Sequence, residues 1–278
     1  MISLLLPSRK RPEIFKRMAE SAWANVSDFG DLEIVARFDE DDEESAREAE
    51  KCDAKVIIGP RRRVMTIYWN ECFEACHGDI VQQANDDMVF MTNHWNALVE
   101  NAFAEVPDKI LLVHGRDVLG HQGDFGPHPF ISRRWVEALG YFIPPYFCSD
   151  FGDAWINELA DRIGRRRFVP FDIEHRHFSH GFPEMEDETT KERLARHGED
   201  DPDSLYYSPE MTAERVRDAE KLAKLMDSAV DTHGWTPPKT PGVLSMGKCP
   251  KCGSIMTVPY DGKVACNACG LVFERVRK

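Results

Sequence analysis

The run Asp79-Ile-Val-Gln-Gln-Ala-Asn85-Asp86-Asp87 joins a β-branched, apolar segment to an amide and two adjacent carboxylates. Ile80 and Val81 favour a strand, whereas Asn-Asp-Asp favours a turn. The acids are therefore expected at a strand's C-terminal end, where an open α/β sheet binds its ligands. Neighbouring carboxylates repel each other and are commonly held together by a cation. Hard oxygen ligands of this kind suit magnesium or manganese. The chemistry implied is a metal-assisted site for a phosphorylated ligand. Taken alone, the pair also reads as a solvated strand-end turn.

A second chemical signature lies near the C-terminus. Cys249-Pro-Lys-Cys252-Gly and Cys266-Asn-Ala-Cys269-Gly are two C-x-x-C-Gly knuckles, and the stretch between them contains Tyr260-Asp-Gly262. Each knuckle converges two thiolates, and four thiolates complete a closed tetrahedral zinc site. The flanks of Asp261-Gly262 read as a hairpin. The expectation is a zinc ribbon over residues 248–278, with Cys249, Cys252, Cys266 and Cys269 holding a structural zinc ion. A closed four-sulfur site leaves no open position for chemistry, so the ribbon is expected to bind something. The Pro- and Gly-rich stretch 231–247 reads as a stiff linker.

The body, residues 1–230, must supply the elements that position the acids. Its composition, 42% apolar and 30% charged, is that of an ordinary globular protein. No apolar run approaches the roughly 20 residues of a membrane span. Met1-Ile-Ser-Leu-Leu-Leu-Pro runs straight into a basic loop and reads as a first strand, not a leader. The eight cysteines are not spaced as a disulfide framework, so a reducing, cytoplasmic setting is expected. Net charge is −13; residues 248–278 hold six basic and two acidic side chains, leaving −17 on the rest. That balance argues against a body that coats nucleic acid and sets the tail apart electrostatically.

Apolar runs and helical periodicities alternate along the body. Strands are expected at 2–6, 32–38, 55–58, 79–83, 110–113 and 167–177, and helices at 12–23, 64–76, 95–104, 132–139, 153–163 and 209–230. The order implies an α/β fold, a mostly parallel sheet flanked by helices. Strand-end loops would then carry Ser8, Arg9 and Arg11, next Asp39, next Arg61 to Arg63, and finally Asn-Asp-Asp. Arg9, Arg11 and Arg63 could donate to a phosphate, although an Arg-Arg-Arg run is more often solvated surface.

The ordered set Leu-Leu-Pro-Ser-Arg-Lys-Arg-Pro12, Asp39, Asn70 and the acidic pair resembles a glycosyltransferase of the A-type fold, family-2-like, over roughly residues 1–180. The resemblance implies a Rossmann-like domain, a nucleotide-sugar donor (a UDP-sugar) and a divalent metal, Mn2+ or Mg2+. Pro7, Ser8, Arg9 and Arg11 would frame the nucleotide, and Asp39 would accept the uracil imino hydrogen bond. Asp87 matches the metal ligand, and Asp86 assists it. Asn85 stands where the usual motif has its first Asp; it contributes no charge but can bond ribose or a metal-bound water.

Downstream, Ser149-Asp-Phe-Gly-Asp153-Ala-Trp155 looks like the family's acceptor half. Asp153 matches the general base of inverting members, with Asp150 as the alternative base, while an Asp here is also a routine helix cap. His175 and His177 fall on one face of a late strand, and either could return to the metal beside Asp87. Trp155 or Tyr146 could wall a sugar. Two functional classes follow: an active metal-dependent transferase, or a nucleotide-binding scaffold whose ribbon binds nucleic acid or protein. The positive tail suggests DNA carrying hydroxymethylated bases, as in phages, as one acceptor.

Overall fold

The computed structural model describes residues 1–121, 123, 125–195 and 202–230, with three strand segments at 259–260, 263–265 and 272–274. The chain divides into two compact units, Met1–Thr236 and Pro237–Lys278.

The first unit runs β1 (Ile2–Pro7), α1 (Pro12–Asn25), β2 (Leu32–Asp39), α2 (Glu43–Lys51), β3 (Lys55–Gly59), α3 (Thr66–Ala75) and β4 (Ile80–Gln83). It continues β5 (Met88–Phe90), α4 (Trp95–Ala104), β6 (Leu112–Asp117), β7 (Phe130–Ser132), α5 (Arg133–Leu139), α6 (Gly152–Arg162), β8 (Arg166–His175), α7 (Glu188–Leu194) and α8 (Pro209–Val230). The eight strands form one sheet in the order β3-β2-β1-β4-β7-β6-β8-β5.

β1, β2, β3 and β4 are mutually parallel because each pair is bridged by a crossover helix. β6 and β8 are also parallel to each other, so the sheet is mostly parallel as expected, with two reversed strands. β7 is antiparallel to both β4 and β6, and β5 is antiparallel to β8, so the sheet is mixed. β5 and β7 are three residues each, too short to show a period of two in sequence.

Burial of β1 on both faces divides the interior in two. Ile2, Leu4 and Leu6 face Phe15, Met18 and Ala22 of α1, with Val99 and Phe103 of α4 in the same core. Leu5 faces the opposite core with Trp69, Trp135, Trp155 and Leu222. Local signals set the helix ends: Pro12 opens α1, Ser132 Oγ accepts from Trp135 N at 3.2 Å, and Gly140 leaves α5 at φ 84°. Trp155 is fully buried beside Phe147 and cannot wall a sugar; its helix face turns to the core. Tyr146 is half-buried and donates to Glu214.

In the second unit, β9 (Pro259–Tyr260), β10 (Lys263–Ala265) and β11 (Val272–Glu274) form an antiparallel sheet with β10 central. Cys249, Cys252, Cys266 and Cys269 lie outside the described residues.

Candidate functional site

A cavity of about 480 Å³ opens at the C-terminal ends of β1, β2 and β4 and beside the end of β8. Pro7, Ser8, Arg9 and Arg11 line it from the first loop, Asp39 from the second, and Asn85, Asp86 and Asp87 from the turn after β4. Asp150 and Asp153 at the start of α6, and His175 and His177 after β8, complete it. Residues spread over 170 positions thus share one wall because the crossovers return β1, β2, β4 and β8 in one direction, with their C-terminal ends together.

The first loop is tightly tied. Ser8 Oγ donates to Asp86 Oδ2 at 2.7 Å, and Lys10 holds a left-handed φ of 52° between the two arginines. Arg9 Nη1 reaches Asp39 Oδ2 at 3.0 Å and forks onto Asp41 through Nη1 and Nη2. Arg11 Nη1 lies 3.4 Å from Asp86 Oδ1; its Nε and Nη2 fork onto Asp187 at 2.6 and 2.9 Å, and Nη2 also donates to Thr190. Helix α7 and its Asp187 cap therefore close the cavity over the arginines. This stretch is acidic and weakly apolar, which in sequence reads as solvated loop with a short helix at 190–197. The helix instead spans Glu188–Leu194, and Thr189, Thr190 and Arg193 line the cavity.

Asp39 is buried. It accepts from the Tyr68 hydroxyl at 2.8 Å and from Arg37 Nη1 at 3.1 Å in addition to Arg9. Arg37, fully buried, is itself spent on Glu71 and the Pro60 carbonyl. Tyr68, Arg62, Met65 and Trp69 form the wall next to Asp39. Arg62, not Arg63, is the arginine of that run that lines the cavity. Asn70 also lies outside it: its amide donates to Thr66 O and Ile143 O and accepts from Phe142 N, strapping the segment after α5 to α3.

The acidic pair splits into two environments. Burial pushes Asp86 above the ordinary carboxylate range, despite Arg11 and the Ser8 hydroxyl. Asp87 is also desolvated, yet the imidazolium of His175 holds it well below that range. His175, although burial opposes its charge, is pushed up to about 10 by Asp87 and Asp117. Asp87 Oδ1 and His175 Nε2 lie 3.3 Å apart, both buried and both without a hydrogen-bond partner. Two ligands adjacent on an octahedral cation at about 2.1 Å are separated by about 3 Å, so the pair fits a divalent ion. Among the described residues no group of three or more His, Cys, Asp or Glu side chains has metal-site geometry. His177 differs, because its Nε2 is taken by Arg193 Nη1 at 2.8 Å. Burial and the charges of His175 and Arg193 push it down to about 4, which keeps the ring neutral. The strand ends at His175, and His177 instead caps a 3-10 turn at Phe178–His180.

Asp153 stands in the first turn of α6, whose N-cap is Phe151, so it is not the capping residue. Its Oδ1 accepts from Ala154 N at 2.8 Å, while burial and the nearby Asp150 push it up to about 6. Phe151 holds φ 65°, a left-handed conformation costly for a residue with a Cβ. The turn is clamped by Asp203, which is fully buried and accepts from the backbone N–H groups of Cys148, Ser149 and Asp150. Phe151 also stacks on Tyr206 at 4.7 Å. Asp203→Ala would remove the side-chain acceptor of one buried and two part-buried backbone N–H groups and is expected to destabilise the fold by about 2 kcal/mol. A lowered urea midpoint at unchanged m would report it. Asp150 forms an ion pair with Arg193.

Asp117, Asp203, Tyr68 and Arg193 are the contributors that motif reading misses.

No protein-family model matches the sequence, and no curated protein matches it. Among solved structures, the mannosyltransferase PcManGT from Pyrobaculum calidifontis, in complex with GDP-Man and Mn2+, is similar at TM-score 0.50 and 12% identity, over 84% of this chain and 76% of that one. Glucosyl-3-phosphoglycerate synthase from Mycobacterium tuberculosis, with Mn2+, UDP-glucose and phosphoglyceric acid, scores 0.47 at 16% identity, over 64% of this chain and 72% of that one. The likeness to the mannosyltransferase is one of fold: the chain shares its α/β fold.

Proposed function

We propose that this chain transfers a sugar from a nucleotide-sugar donor, a UDP-sugar, to an acceptor hydroxyl in a metal-dependent reaction. The observation that carries the reading is the buried pair Asp87 Oδ1 and His175 Nε2, 3.3 Å apart and without hydrogen bonds to other groups, facing a cavity shared with two arginines and Asp153. Only two protein ligands suit a Mg2+ or Mn2+ ion that takes its remaining ligands from phosphate and water. The similar mannosyltransferase binds GDP-Man and Mn2+, in keeping with this chemistry.

In this reading Asp39 receives the uracil imino N–H on its remaining lone pair. Tyr68 and Arg62 enclose the base, and Asn85 meets the ribose. Arg9 and Arg11 set positive potential beside the diphosphate, screened by Asp41 and Asp187. When bound at Asp87 and His175, a divalent cation supplies charge stabilisation for the departing diphosphate. Asp153, ionised at neutral pH, takes the acceptor's hydroxyl proton as the new bond forms. Asp150 and Arg193 orient the acceptor, and α7 keeps water from the donor.

The four tail cysteines are read as a structural zinc site that binds the acceptor or a partner, with modified DNA as one acceptor. Deleting residues 248–278 should then weaken DNA binding and transfer to hydroxymethylated DNA; unchanged values would remove that acceptor. The transferase reading itself is tested by incubating the protein with UDP- and GDP-sugars and following release of the nucleoside diphosphate. Release with Mn2+ that stops on chelation is expected. No release from any donor would favour the scaffold reading.

A further inference from the structure

Asp117 lies at the C-terminal end of β6, adjacent in the sheet to β8 and hence to His175. The acid is buried, and its Oδ1 accepts from Leu119 N at 3.1 Å, closing the turn that follows. Its Oδ2 faces His175 Nδ1 at 3.7 Å. The same imidazole therefore has a carboxylate on each nitrogen: Asp117 at Nδ1 and Asp87 at Nε2. The turn wraps the carboxylate closely, since a Cβ at Gly120 would come within 2.6 Å of Asp117 Oδ2. A further side chain fixes the ring plane. His128, buried and without hydrogen-bond partners at either nitrogen, packs edge-on against His175 with centroids 4.6 Å apart. A buried polar ring left without hydrogen bonds is uncommon, and here its contact is with the candidate ligand.

We infer that Asp117 is a positioning residue for metal binding, holding the His175 imidazole so that Nε2 faces Asp87. The inference rests on the metal-dependent reading above and adds to it the group that sets the ligand's orientation. A metal-bound imidazole carries its proton on the other nitrogen, and an acceptor there fixes both tautomer and ring angle. Asp117 Oδ2 stands 3.7 Å from Nδ1, on the side where that acceptor is needed. Its Oδ1 accepts from Leu119 N and from the His175 backbone N–H at 3.4 Å. A purely structural role would need only Oδ1.

Asp117→Asn separates the two roles. The Asn oxygen keeps the Leu119 N–H, and the amide N–H₂ then faces His175 Nδ1. A donor at that place drives the ring proton to Nε2, the atom that faces Asp87. Mn2+ affinity, measured calorimetrically on the full chain without nucleotide, is expected to fall about 10- to 100-fold. The 14N coupling of a histidine in the Mn2+ electron spin-echo spectrum is expected to weaken with it. Gly120→Ala retains Asp117 but crowds Oδ2, so a smaller loss in the same direction is expected, and it serves if Asp117→Asn fails to fold. Wild-type protein that binds no Mn2+ would overturn the metal reading and this inference with it. Binding without histidine coupling would overturn His175 as ligand. Wild-type binding and coupling that both variants reproduce within twofold would overturn Asp117 alone.

Discussion

Asp153→Asn is expected to abolish most transfer while making the protein more stable. Removing a general base costs typically 10²- to 10⁴-fold in turnover, and the amide cannot accept the acceptor's proton. Donor binding should remain within a few-fold, because the donor contacts proposed here lie on the loops after β1, β2 and β4 and on His175. The stability gain follows from sign. Burial raises the Asp153 carboxyl to about 6, against 3.8 for a free side chain, so its ionised form is disfavoured in the folded state. The fold loses stability as pH rises from about 4 through 6, and the full cost is present above 6. Asparagine removes that cost. Chemical denaturation at pH 7.5 should show a gain on the order of 1–2 kcal/mol that disappears below pH 4. The same group predicts the wild-type rate profile, with turnover falling about tenfold per unit as pH drops below 6. An Asn variant that keeps wild-type turnover would remove Asp153 from the chemistry and leave it as a residue of the first helical turn.

Asp87→Asn is expected to act in the opposite sense on stability and at a different step. In the metal-free protein Asp87 is buried 3.3 Å from a protonated His175, and removing one partner leaves the other charge in a poor environment. Breaking a buried pair costs on the order of 3 kcal/mol, reduced to the extent that His175 sheds its proton or relies on Asp117. With Mn2+ present, the variant should lose about 100-fold or more in affinity for the nucleoside diphosphate, since a charged ligand to the cation contributes several kcal/mol. Without metal, wild type and variant should bind nucleotide alike. Asp86→Asn should perturb this less, because Asp86 is engaged by Ser8 and Arg11, away from the His175 nitrogen. Calorimetry of the two variants side by side separates a ligand from a neighbour.

Strands β1, β2 and β4 are legible from sequence because each carries β-branched or leucine-rich apolar residues and ends in a polar loop. The end of such a strand is both a chemical and a structural signal, which is why Arg9, Asp39 and Asp87 can be placed in one site before any coordinates. The two reversed strands are not legible: β5 and β7 are too short for periodicity, and their direction is set by tertiary pairing alone. Asn70 illustrates a different failure. Its position in the ordered set suggests nucleotide contact, yet an amide can satisfy three backbone groups at once, and here it does. Arg193 and Asp203 escape because their roles depend on long-range closure of α7 and the 3-10 turn at Pro202–Tyr207 over the site. Nothing local distinguishes them from solvated charge. His175 and His177 can be paired by their spacing, but only their partners tell them apart: Asp87 and Asp117 for the first, Arg193 for the second.

The central claim is that a divalent cation and a uridine nucleotide bind this cavity together. Titrating UDP calorimetrically into the full chain, with and without Mn2+, tests it most directly. Binding that requires Mn2+ is the predicted result, with the metal and nucleotide each strengthening the other by the same factor. A folded protein that takes up no UDP under either condition would contradict the uridine assignment, and failure of the other nucleotides as well would contradict the transferase account.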